Sequence, residues 1–234
     1  LGITPELPAP GQTQSDCYFI EADNVFEIQR LVVNAATRSL PARCGADPYR
    51  DVQVLTPMRK GPLGTFALNG LIRRALSQES ADANDTAQSS EHEFLPADRV
   101  LQTRNNYNLG VFNGECGIVD ESTGENVTVK FGERRVVYHK TALSDLAHGF
   151  AITIHRSQGS EYPFVIIPIH ECQSVMLTRE LLYTALTRGK EMVALIGSRC
   201  AFEQAINHTR SHRRAGLKNL LSPSTAHSAA KKAA

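Results

Sequence analysis

The sequence predicts an α/β fold: a largely parallel sheet with helices on both faces, carrying an inserted small antiparallel β-barrel. Three observations carry this. Residues 52–55, 164–169 and 192–196 are short, largely apolar runs, as strands buried on both faces require, and 153–155 reads as a further buried strand. Helical spacing recurs between them, as in Val25, Ile28, Leu31, Val32 and Ala35. From Asp98 the texture changes: runs at 99–103, 115–120, 127–131 and 134–139 follow at about ten-residue intervals, joined by Asn-Gly, Thr-Gly and Gly-Glu turns. The order strand, helix, strand, helix, insertion, strand, strand, helix, strand suits parallel crossovers interrupted once.

In chain order, residues 1–15 hold three prolines and little periodicity, and read as a linker or frayed end. Residues 17–20 form a first strand, Asp23 caps a helix over 24–39, and 41–49 form a loop. The strand at 52–55 leads into TPMRKGPLG, a loop shaped by two prolines and two glycines, after which Thr65 caps a helix with Leu68, Leu71, Ile72 and Leu76 on one face. Residues 77–97 are polar and read as a flexible surface loop. After the barrel come strands at 153–155 and 164–169, a helix over 179–188, a strand at 192–196, a helix to about 208 and a disordered tail. The divisions expected are 1–15; an α/β unit at 16–97 and 146–200; the insertion at 98–145; and a terminal helix and tail at 201–234.

Composition bounds the function. The chain has 234 residues, 25 basic and 24 acidic, for a net charge of +1. That balance gives no whole-chain attraction to nucleic acid but permits a local basic groove. Five scattered cysteines, none in a C-x-x-C pair, read as reduced thiols without a zinc site, and hence as a cytoplasmic protein. Apolar runs stay short of the roughly 18 residues of a membrane span, and no secretory leader opens the chain, so no membrane partner is expected. The start at Leu1, in Pro-rich polar sequence, reads as a piece of something longer.

Three loops carry the dense chemistry. His155, Arg156, Ser157, Gln158, Gly159, Ser160 and Glu161 offer many donors and acceptors between two strands, where α/β folds place their sites. One His and one carboxylate do not make a metal site, and Ser157 lacks the glycines of a nucleophile elbow. A hydrolase using His155 and Ser157 is disfavoured, because a triad is rarely built from sequence neighbours. Arg59 and Lys60 read either as a solvated turn or as phosphate contacts. Tyr107, in RNNYN, either stacks on a base of single-stranded nucleic acid or packs on the barrel. Arg188 either complements a helix dipole or meets a phosphate.

The stretches VLTPMRKGPLGTFALN, NNYNLGVFNGECGIV, AITIHRSQGSEYPFVIIPI and LLYTALTRGKEMVALIG, in this order, resemble the carboxyl-terminal half of RecD-like superfamily-1 DNA helicases, the kind that includes the exodeoxyribonuclease V alpha subunit. The resemblance runs from about Ser15 to Gly197. It implies a second RecA-like motor domain of the P-loop NTPase type with an inserted barrel, and 5′-to-3′ movement on single-stranded DNA driven by ATP and Mg²⁺. It implies that Arg188 is the arginine finger, that Gly159 and Glu161 lie toward the nucleotide, that Arg59 and Lys60 meet a phosphate of either ATP or DNA, and that Thr56, Asn106, Tyr107, Asn113, His155, Ser157 and Gln158 lie toward DNA. Arg156 stands where the family more often has Lys, which keeps the charge. The departure is that no G-x-x-x-x-G-K-[ST] occurs. ATP and Mg²⁺ would therefore be held mainly by an amino-terminal RecA-like domain of the parent, and this chain alone is expected to be inactive. Subunits of a nuclease complex are further partners the resemblance admits. The competing expectation is a non-catalytic module, derived from a helicase, that holds nucleic acid or protein.

Overall fold

The computed structural model describes residues 16–80, 93–123 and 125–208. The expected linker at 1–15, most of the 77–97 loop and the tail beyond 208 lie outside them.

The elements are β1 (Cys17–Glu21), α1 (Val25–Asn34), α2 (Leu40–Cys44), β2 (Val52–Thr56), α3 (Thr65–Ser80), β3 (Arg99–Gln102), β4 (Cys116–Thr123), β5 (Asn126–Phe131), β6 (Arg134–His139), β7 (Leu146–His148), β8 (Ala151–Thr153), β9 (Tyr162–Ile169), α4 (Arg179–Leu186), β10 (Gly189–Gly197) and α5 (Arg199–Asn207). Five strands form a wholly parallel sheet in the order β1-β10-β9-β2-β8. Alternation along its central strands feeds two cores. Val54, Phe164, Ile166, Ala194 and Ile196 pack with Ile28, Val32, Leu68 and Ile72 of α1 and α3. Leu55, Val165, Ile167, Val193 and Leu195 pack with Leu181, Leu182, Ala185, Phe202 and Ala205 of α4 and α5. Helices thus cover both faces, and each fully buried Leu or Ile contributes about 1.5–3 kcal/mol.

The insertion is a second five-stranded sheet, antiparallel, in the order β6-β5-β4-β3-β7. Its described pairings make an antiparallel sheet with β6 and β7 at its edges; a pairing that closes it into the small barrel expected is not among them. Strand β7 escapes the periodicity because three residues hold too little pattern. Two buried polar links bind the insertion to the α/β part. Arg73 of α3 pairs with Asp98 at 3.0 Å, both nearly inaccessible, and burial raises the Asp98 pKa more than Arg73 lowers it. Gln53 of β2 donates to the carbonyls of Gly149 and Phe150 at 3.1 and 2.9 Å, where the chain returns to the parallel sheet.

Local chemistry moved several boundaries. Asn24, not Asp23, caps α1; its Oδ1 accepts from the N–H groups of Phe26 and Glu27. The helical path does not stop at residue 39 but runs on through Pro41 to Cys44. Proline lacks an N–H and crowds the carbonyl one turn back, and the preceding turn, Ala35–Ser39, widens to π geometry. Thr65 is the first helical residue of α3 and not its cap. Phe94, inside the expected surface loop, is buried with its ring 4.9 Å from that of His148.

Candidate nucleotide and nucleic-acid interface

The loop after β2 is held by its own main chain. The N–H groups of Thr65 and Phe66 donate to the carbonyls of Met58 and Arg59 at 3.1 and 3.2 Å, and Gln29 of α1 donates to Pro62. Arg59 and Lys60 stand exposed, and the Arg59 guanidinium lies 5.2 Å from the Phe66 ring centroid. Thr56 behaves otherwise. It is 0% exposed; its hydroxyl donates to Leu63 O at 2.6 Å and accepts from Gln173 at 3.2 Å. The expectation that Thr56 faces DNA does not fit this geometry, since a short hydroxyl in a folded-back loop satisfies the nearest carbonyl. Thr56→Val is therefore expected to cost about 1–3 kcal/mol in urea unfolding, the penalty for orphaning buried partners. Single-stranded DNA affinity is expected to stay unchanged; a weakened affinity at full stability would return Thr56 to the strand.

Residues 154–161 cross from the carboxyl end of β8 to the amino end of β9, over the α4 face. They begin as a 3-10 turn, Ile154–Ser157, so His155 lies past the strand on which it was expected. Ser157 is 0% exposed, and its hydroxyl closes the turn on Ile154 O at 2.8 Å. It is a turn-former, and its expected contact with DNA is withdrawn for the same reason as that of Thr56. His155 and Gln158 are exposed, and Gly159 takes a left-handed φ of 85°. The Arg156 pKa is lowered, chiefly by burial and next by the charge of Arg59. Glu161 pairs with Lys190 at 3.4 Å, both exposed, a contact worth little in water.

Arg188 lies two residues past the end of α4, half-buried. Its Nε donates to Thr184 O, one terminal nitrogen to Ser160 O and the other to Thr187 Oγ1, each at 3.1 Å. Its own carbonyl accepts from Tyr162 N at 2.8 Å. The side chain thus rests on the crossover loop and leaves a hydrogen on each terminal nitrogen.

The strand register separates the expected residues into two groups. Val54 pairs with Ile166, while Tyr162 pairs with Gly189. Arg59, Lys60, His155 and Arg156 follow the carboxyl ends of β2 and β8; Glu161, Arg188 and Lys190 sit at the amino ends of β9 and β10. Six residues of strand, about 20 Å, separate the carboxyl end of β2 from the start of β9, and the 154–161 crossover bridges that interval, with Ser160 N donating to Ser157 O at 3.0 Å.

The third loop joins β3 to β4. Asn106 and Val111 exchange backbone hydrogen bonds at 2.8 and 3.1 Å, Asn106 Oδ1 accepts from Leu109 N, and Asn105 Oδ1 accepts from Asn113 N at 2.9 Å. Asn113 is exposed, whereas Asn106 is half-buried and shapes the turn. Arg134 braces the loop by donating to Gly110 O and pairing with Glu115. Tyr107 is 77% exposed and Phe112 47%, with ring centroids 6.1 Å apart at 79°. Phe112, absent from the residues expected above, has one sequence signal: it is an aromatic opposite Tyr107 across a short polar turn. Among the described residues no group of three or more His, Cys, Asp or Glu could hold a metal ion, and no helix is long and apolar enough to cross a membrane.

Comparison with known proteins agrees on one family. Residues 148–196 match the UvrD-like helicase C-terminal domain, and residues 68–131 match the ATP-dependent RecD-like DNA helicase SH3 domain. The chain is 40% identical over 166 residues to an ATP-dependent RecD2 DNA helicase of Deinococcus radiodurans, covering 71% of this chain and 23% of that protein. It is 29% identical over 211 residues to the RecBCD enzyme subunit RecD of Mycolicibacterium smegmatis, covering 88% of this chain and 36% of that protein. A Pif1 helicase from Bacteroides, crystallised with ADP-AlF3 and ssDNA, overlays with a TM-score of 0.46 at 15% identity, over 84% of this chain and 51% of that one. The chain thus spans between 23% and 36% of the length of these two curated relatives.

Proposed function

The chain belongs to the carboxyl-terminal region of the RecD-like superfamily-1 helicases, and from that premise we propose that it gives a parent ATP-dependent DNA helicase an arginine finger and a grip on single-stranded DNA. The observation that carries the finger is the seat of Arg188: a half-buried guanidinium laid on the carbonyl of Ser160, with a hydrogen free on each terminal nitrogen. Such a group is held in place yet open to a ligand, and it can neutralise charge on a transferred phosphoryl group. In this reading the α/β part is the second RecA-like domain and the antiparallel sheet is its inserted barrel. ATP and Mg²⁺ belong to the cleft with an amino-terminal motor domain, whose P-loop motif is not found in this sequence. Movement is 5′ to 3′, the compartment is the cytoplasm, and the chain alone does not hydrolyse ATP.

The two levels of the sheet divide the labour. Arg188, with Gly159 and Glu161, faces the nucleotide. In this reading Arg59, Lys60, His155 and Gln158 face the strand, together with Arg156, and the 154–161 crossover links them to the nucleotide group. The Tyr107–Phe112 pair adds a stacking platform. Both rings are exposed on a braced loop, so little ordering is needed when a base covers them. Asn113 lies beside it as a polar contact. Thr56, Ser157 and Asn106 shape the loops that present these groups.

The grip is tested by fluorescence anisotropy of this chain with a labelled single-stranded oligonucleotide. Tyr107→Ala and Phe112→Ala are each expected to weaken binding by about 1–3 kcal/mol, roughly 5- to 150-fold, with the salt dependence unchanged. Arg59→Ala is expected to weaken it less and to flatten the salt slope by about one phosphate contact. Absence of binding at low salt, or indifference to both aromatic substitutions, sinks the proposed grip.

A further inference from the structure

One arginine outside both groups joins the two sheets. Arg99 opens β3 of the antiparallel sheet and is 6% exposed. One terminal nitrogen donates to the carbonyls of Arg50 and Val52, at 3.3 and 3.0 Å, at the start of β2. Its guanidinium lies 5.4 Å from the ring centroid of Tyr162. A planar cation against a ring face fixes the ring without a counter-charge, and Lys, a point charge on a flexible stem, does not reproduce this.

Tyr162 is where the crossover loop becomes β9. Its N–H donates to Arg188 O at 2.8 Å, and two residues earlier the Ser160 carbonyl accepts from the Arg188 side chain at 3.1 Å. The buried Tyr162 hydroxyl is pushed up to about 12, mainly by burial. Cys116 opens β4 and pairs with Leu101 of β3. The start of β3 thus reaches Tyr162 through Arg99, and Cys116 at the start of β4 packs against the same apolar cluster.

We propose that Arg99 is a positioning residue for Arg188: from the antiparallel sheet it clamps the Tyr162 ring, and the main chain around Tyr162 holds the Arg188 guanidinium in place. A nucleic-acid strand seated on the β3–β4 loop then acts on Arg188 through β3 and Tyr162. The assignment rests on the reading of Arg188 as the group offered to a phosphate, but its test does not.

The test is NMR on the ¹⁵N-labelled 234-residue chain. In Arg99→Lys, solvent exchange of the Arg188 Nε–H and of the Tyr162 amide is expected to quicken about tenfold, while the Val129 amide in the middle of the antiparallel sheet keeps its wild-type protection. Adding an oligo-dT strand shifts the Arg188 Nε–H signal in the wild type and leaves it in place in Arg99→Lys. Tyr162→Leu, which keeps the bonds from Arg99 to β2, is expected to loosen Arg188 in the same way and serves if Arg99→Lys does not fold. Wild-type exchange at Arg188 in a folded variant overturns the assignment, as does an equal oligo-dT shift in wild type and variant, or unfolding of both variants. Because ATP hydrolysis is nowhere measured, failure of the finger assignment leaves these outcomes legible.

Discussion

Arg188→Ala in the full-length parent is expected to cut ATP turnover by about 10³–10⁵, the range for an arginine finger in phosphoryl transfer, while single-stranded DNA binding stays near wild type. On the proposed reading the effect is large because the guanidinium is needed as charge develops on the transferred group. On the proposed division DNA binding is spared because other side chains grip the strand, Arg59 and Lys60 after β2 and the Tyr107–Phe112 pair. Truncation also removes the bonds to Ser160 O and Thr184 O, so Arg188→Lys is the companion variant: it keeps the charge but cannot reproduce the three-way seat. It is expected to fold and to remain strongly impaired. Thermal unfolding separates misfolding from lost chemistry. Near-normal turnover in a folded Arg188→Ala parent would remove the finger and leave the non-catalytic binding module as the reading.

Gly197→Ala is expected to be the most disruptive of the small substitutions. Gly197 ends β10, in register with Ile169 of β9 and Glu21 of β1. A Cβ there would stand 1.7 Å from the Ile169 carbonyl oxygen and 2.7 Å from its carbon, at a φ of 153° that side chains rarely adopt. The obstacle is main chain and cannot rotate away. Strain and overpacking together are expected to cost about 3–5 kcal/mol. In urea the midpoint falls while the slope is kept. A loss under about 1 kcal/mol would mean that the three strand ends part easily, and that the register at the top of the sheet is looser than described.

Much of the architecture could be read before any coordinate. The runs at 164–169 and 192–196 are apolar at every step, which only a strand covered on both faces tolerates, and both lie inside the parallel sheet. The antiparallel run at 134–139 was legible to the residue, because alternation and a Gly-Glu turn specify it together. What misled was short-range chemistry with two solutions. Pro41 looks like a helix stop, yet the preceding turn takes up its missing N–H by widening. Phe94 looks stranded in polar sequence, yet it finds His148 across the fold.

The functional side chains divide on the same principle. Residue type and order determine that a chain with these four stretches belongs among RecD-like helicases, and they mark Arg188, the 154–161 crossover and the RNNYN loop as the places to look. They do not determine direction. Thr56 and Ser157 carry the hydroxyls that a ligand-facing loop uses, and both spend them on nearby main-chain carbonyls; Phe112 and Arg99 were not singled out by type or spacing, and one is exposed beside Tyr107 while the other is buried against Tyr162. A short polar group bonds to whatever the folded chain brings within about 3 Å, and that distance is set by strands far apart in sequence. The family was therefore decided by the order of the residues, and the sharing of work among them by how the two sheets pack.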